Sequence, residues 1–330
     1  MLQLLRRLFL FLSLAATLGL IPRKAMATHL AGSDITYTCL GGNTYRIDLT
    51  FYRDCAGTPA PGGVILNFRS ISCNSFFTQE IDSVNNTGQQ ITYPCPGLAT
   101  RCDNASSTIP GIRQYHYSGI ITFPLQCSDW VIQWNYCCRN CDITTINIPQ
   151  PCVPQQNPGM SISANLDNLN ITCNNSPRFT NIPIVFICVG QNFTYNHGAV
   201  DPDGDSLVYS LVDPLADANN PVPWLPGYSA TNPITSSPAV TLNSQTGDIV
   251  MNPTAQEVGV MSVLVKEYRN GVLIGHVVRD MEIYVRACNN ILPTASGING
   301  TTSHICMSVV SCAGVSGYVV LSRVRQTVEK

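Results

Sequence analysis

Fifteen cysteines, all at or beyond residue 39, constrain this 330-residue chain more than any other feature. They follow a leader. Arg6 and Arg7 form a basic start, Leu8 to Ile21 is an apolar run, and Ala25-Met26-Ala27 is a small-x-small cleavage site. That order reads as a secretory signal peptide over residues 1–27, with cleavage near Ala27 and Thr28 as the mature N-terminus. The apolar run is short of the ~20 residues that a membrane span needs. Export to an oxidising compartment turns cysteines into disulfides. The rival is zinc, for which Cys137-Cys138-x-x-Cys141 with Cys152 offers four thiols. Zinc sites come more often as paired knuckles in reduced compartments, which favours disulfides. Adjacent Cys137 and Cys138 are expected on opposite faces of a strand, with different partners. A bridge from Cys188 to Cys288 is also expected, closing a loop of about 100 residues.

Charged residues make up 12% of the chain, about half the usual ~25%. Only three of the 18 basic residues are lysines. A nucleic-acid binder needs a basic face, and nothing here builds one. Loss of the leader removes four positive charges and no acid, so the formal charge moves from −2 to −6.

Alternation with period two dominates the mature chain. Tyr45, Ile47, Leu49 and Phe51 share one face; Tyr115, Tyr117, Gly119, Ile121 and Phe123 share another; Trp130, Ile132, Trp134 and Tyr136 a third. Such runs are half-buried strands, and no window carries a helical stripe. In the second half, strands are expected over Ile184–Val189, Ser206–Leu211, Ala239–Leu242, Ile249–Asn252, Val258–Arg269 and Val272–Val285. Asn270-Gly271 between the last two is a type I′ hairpin signal. The fold class expected is all-β, with two β-sandwich domains of immunoglobulin or cadherin type after the signal peptide. The boundaries read as 28–146 for a Cys-rich β domain, 147–181 for a Pro/Asn-rich connector, 182–290 for the second sandwich and 291–330 for a tail.

One constellation carries chemistry. Between Arg178 and Lys266 every charged residue is acidic, and three acids are packed as Asp201-Pro202-Asp203-Gly204-Asp205. Alternate carboxylates on a loop can converge on a hard cation that takes six to eight oxygens. Ca²⁺ bound by Asp201, Asp203 and Asp205 is the metal expectation, with Asp248 and Glu267 as further candidate ligands. An EF-hand does not fit, because its sixth and twelfth positions hold Ser206 and Val212. The plainer reading is a solvated turn whose Asp side chains cap backbone amides.

No catalytic residue is assigned. The five histidines form no H-E-x-x-H, and nucleophile-elbow, Walker and dinucleotide motifs are absent. The expectation is an exported adhesion or surface-matrix protein that acts by binding a surface polymer, glycan or protein. The alternatives are a carbohydrate-binding module stacking sugars on Trp130, Trp134 or Trp224, though burial is expected for at least two of these, and a secreted glycoside hydrolase built on two facing carboxylates.

Several stretches resemble large secreted surface proteins of gliding Bacteroidetes-type bacteria, the group named for a gliding-motility-associated C-terminal domain. They are Thr28–Cys55, Tyr136–Asn140 (YCCRN), Cys173–Pro183, Asn196–Pro214 and Glu267–Val285. The Asp201–Leu207 piece is shared widely with bacterial cadherin-like modules. The resemblance implies an adhesin-like protein of β-sandwich modules at the cell surface, with no enzymatic activity and with the calcium role on Asp201, Asp203 and Asp205. Such proteins continue through further modules, whereas about 42 residues follow Cys288 here. The tail reads as the start of a module cut short. Ile305–Ser322 is uncharged and precedes Arg323 and Arg325, but its serines, glycines and cysteines dilute it, and no membrane anchor is expected.

Overall fold

The computed structural model describes residues 29–84, 87–92, 99–150, 156–183 and 186–288. The signal peptide and the tail lie outside the described residues. The fold is all-β: seventeen strands and no α-helix occur among the described residues. The first half holds β1 (Leu30–Gly41), β2 (Thr44–Asp54), β3 (Gly63–Ser70), β4 (Ser75–Ser83), β5 (Gln89–Gln90), β6 (Ile112–Thr122) and β7 (Trp130–Tyr136). Then come β8 (Met160–Leu166), β9 (Arg178–Phe179), β10 (Phe186–Cys188), β11 (Phe193–Asn196), β12 (Ala199–Val200) and β13 (Ser206–Val212). The chain closes with β14 (Thr241–Leu242), β15 (Asp248–Met251), β16 (Glu257–Arg269) and β17 (Val272–Arg286).

The alternating runs become strands because each buries one face. Tyr45, Ile47, Leu49 and Phe51 are buried, as are Trp130, Ile132 and Trp134. Asn270 and Gly271 both take positive φ, which lets Arg269 pair directly with Val272 across a two-residue turn. Gly42 and Asn43 do the same between β1 and β2.

Hydrogen-bonded neighbours run β1-β2-β6-β4-β3-β7-β8-β17-β16-β13, and β17 also pairs with β1. The path from β1 to β17 therefore closes on itself, around a core that includes Tyr37, Phe51, Phe68, Trp134, Ile162 and Val277. β17 is the joint: it pairs with β8 at Gly275–Val277, with β1 at Arg279–Met281 and with β10 at Tyr284–Arg286. Reading 147–181 as a connector misses β8. Met160, Ile162, Ala164 and Leu166 alternate into the core, but the prolines and asparagines around them mask the pattern.

Disulfides are extensive, which points to an oxidising environment. Cys39–Cys173, Cys55–Cys102, Cys73–Cys127 and the expected Cys188–Cys288 are closed, and Cys141 is also disulfide-bonded. The expectation that Cys137 and Cys138 face opposite sides of a strand is corrected. β7 ends at Tyr136, so neither cysteine lies on a strand. No helix among the described residues is long and apolar enough to cross a membrane.

Candidate functional site: an acidic loop beneath a β-hairpin

The acidic loop enters β13. Asp201 shapes it: its Oδ1 accepts the amides of Asp203 (2.8 Å) and Asp205 (3.1 Å), which folds the loop back over its own first residue. Gly204 takes φ +84°, a conformation that a side chain would strain. One carboxylate oxygen from each of Asp201, Asp203 and Asp205 lies within 4.8 Å of the others. The three candidate ligands of the sequence are thus brought together. Asp248 is elsewhere: on β15 it accepts from Asn196 Nδ2 (2.8 Å) and Thr246 Oγ1 (2.6 Å).

β13 pairs with β16 so that Leu207 stands opposite Glu267 and Ser206 opposite Tyr268. That register carries Glu267 and Arg269 to the loop. Arg269 clasps Asp205 through Nη2 (2.6 Å) and Nε (2.9 Å), reaches Asp203 at 3.3 Å and donates to Asn174 Oδ1 at 2.8 Å. Asp203 also accepts from the amide and the side chain of Asn175 (2.8 and 2.7 Å). Asn174 and Asn175 follow Cys173, whose bridge to Cys39 pins them beside the end of β1.

Glu267 is fully buried, and both of its oxygens are enclosed. Burial pushes its carboxyl up to about 9, and the nearby charges of Asp201 and Asp205 push the same way. A proton turns Glu267 into a donor toward Asp205. Opposite it, Gly275 leaves the space: a Cβ there would lie 3.0 Å from the Tyr37 hydroxyl and 3.1 Å from Glu267 Oε2. Asp201 is also raised, chiefly by burial, and its Oδ2 is buried without a partner. Asp205 is lowered, chiefly by its hydrogen bonds from Arg269. The site thus sets four carboxyl groups against one guanidinium. Arg269 escapes a sequence search for a counter-charge because it lies three residues past Lys266, beyond the acidic stretch.

The other singled-out residues are placed plainly. Trp130 and Trp134 are core residues, and Trp224 is part-buried with its indole donating to Asp213 (2.9 Å). His197 is buried between Tyr195 and Phe179. The YCCRN stretch supplies a buried polar knot. Arg139 forms a double hydrogen bond with Asp280 (2.9 and 2.7 Å), and Asn140 donates to Glu282 and to the Tyr284 hydroxyl.

No protein-family model matches the chain, and no curated protein does. Among solved structures the chain is similar to one described as titin Ig tandem domains A164-A165, at 9% identity over 78% of this chain and 98% of that one, with a TM-score of 0.21.

Proposed function

We propose that the chain is an exported cell-surface adhesion or surface-matrix module that acts by binding, with Ca²⁺ held by Asp201, Asp203 and Asp205 as a structural brace. This also places it near the secreted surface proteins that its sequence resembles. The observation that carries the reading is the convergence of three loop carboxylates over a fourth, buried one, with Arg269 as the neighbouring cation. Like charges a few ångströms apart cost energy even at an effective dielectric near 20. A hard divalent ion turns that repulsion into ligation. It competes with Arg269 for Asp203 and Asp205, which fits the weak affinity of extracellular calcium modules, about 10⁻⁴–10⁻³ M.

An ion that binds only the folded chain adds stability by mass action, about 2.7 kcal/mol at 100 times its dissociation constant. Millimolar Ca²⁺ is therefore expected to raise the melting temperature. The rise should vanish in EDTA and shrink sharply in Asp203→Ala. Sodium chloride of equal ionic strength should not reproduce it. If sodium reproduces the whole effect, or Asp203→Ala keeps the calcium response, the loop is a solvated turn. Binding of the mature protein to cell surfaces and glycan arrays, with and without chelator, tests the adhesive role directly.

A further inference from the structure

On the face of β1, β2 and β6 that points away from the core, a polar crevice of about 180 Å³ opens against residues 179–182. Asp34, Tyr52 and Arg279, all buried, form its floor. Arg279 donates to the Asn181 carbonyl (2.8 Å) and the Tyr52 hydroxyl (2.9 Å), and its guanidinium lies 4.6 Å from the centre of the Phe179 ring. Its Nε stands 3.3 Å from Asp34 Oδ2, an ion pair without hydrogen-bond geometry, so both atoms remain buried and unsatisfied. Gln114 and His116 stand on the rim, and among the described residues neither side chain is committed to a protein hydrogen bond.

These features select a ligand. Asp34 and Arg279 already neutralise each other, so a full charge entering the crevice would lose its water without gaining an unmatched partner. A hydroxyl both donates and accepts, and so suits the Gln114 amide and the His116 imidazole on the rim, which do the same. Phe179 and Ile182 give an apolar wall for a ring face. The volume equals about six waters, more than an ion needs and below the ~300 Å³ of pockets for larger ligands.

We propose that the crevice binds a single neutral sugar ring. The inference deepens the binding-module reading by naming a ligand class, and it shares no residue with the acidic loop. The probes are methyl glycosides of glucose, galactose and mannose, titrated into the ¹⁵N-labelled mature protein, with glucuronate and an amino sugar as charged controls. At least one neutral glycoside should shift the amides of Thr50, Gln114, His116 and Thr180 saturably. Its dissociation constant should be roughly millimolar, as the usual efficiency per atom gives for a ligand of about 12 non-hydrogen atoms. EDTA should not alter it. Gln114→Ala and His116→Ala, both on the rim, should keep the melting temperature and weaken binding roughly fivefold each. Tighter binding of a polysaccharide of the same sugar identifies a glycan chain as the source, and equal affinity a free sugar. No shift with any neutral probe, a tighter charged probe, or unchanged binding in both rim variants overturns the proposal. Cell-surface binding that survives in a protein blind to all the sugars leaves the adhesive reading standing and removes only this one.

Discussion

Replacing Arg139 with methionine tests the buried polar knot that joins the two halves. The Arg139 and Asp280 side chains are both 0% exposed, and two hydrogen bonds of 2.9 and 2.7 Å link them. Ser262 donates a third to Asp280 at 2.8 Å, and the Pro158 carbonyl holds the Arg139 amide at 2.9 Å. A buried pair of this kind adds little over apolar residues of the same volume, but removing one partner strands the other charge and costs about 3–5 kcal/mol. At roughly 2–4 °C per kcal/mol, Arg139→Met should lower the melting temperature by about 10 °C. Arg139→Met with Asp280→Leu removes both charges and should recover most of the loss, a coupling of about 2–3 kcal/mol. Thermal and urea unfolding with disulfides intact, followed by circular dichroism, measures the cycle. A single substitution that costs under about 1 kcal/mol, or a double variant as unstable as the two losses added, would refute the reasoning.

Glu267 sets a second test, in calcium-free buffer. Its folded pKa of about 9 stands above the unfolded value near 4.3, so between these the folded chain holds a proton that the unfolded chain lacks. Stability should therefore fall as pH rises through that window, and Glu267→Gln should flatten the slope. His276 acts in the opposite direction: burial first, then Lys266, lowers it to about 4. Below pH 6.5 the unfolded chain binds the extra proton, so stability should be lost as pH falls toward 4, and His276→Gln should reduce that loss in an acid titration followed by circular dichroism. Cys188→Ser with Cys288→Ser opens a bridge with a sequence separation of 100 and should cost about 4–5 kcal/mol in urea unfolding. A cost below 1 kcal/mol would show that β10 and β17 hold their pairing without it.

Local features were legible in the sequence, and distant pairings were not. β13 and β16 fall within a residue of the strands expected over Ser206–Leu211 and Val258–Arg269, because alternation and the Asn270-Gly271 turn are encoded nearby. The clustering of Asp201, Asp203 and Asp205 was equally local. The places of Glu267 and Arg269 depend on the β13–β16 register, and Asn174 on a bridge to Cys39, 134 residues before Cys173. β17 shows the deeper reason. Its run Arg279-Asp280-Met281-Glu282 would ordinarily mark a solvent-facing strand, since charged side chains are seldom fully buried unless paired. All four residues are buried, because the opposing groups arrive from far away: Asp34 on β1, Arg139 and Asn140 after β7. A charged face meets water only when nothing complementary folds onto it. Here the complement lies about 140 to 245 residues upstream, so the polar pattern that suggests a surface encodes the joint at which the halves meet.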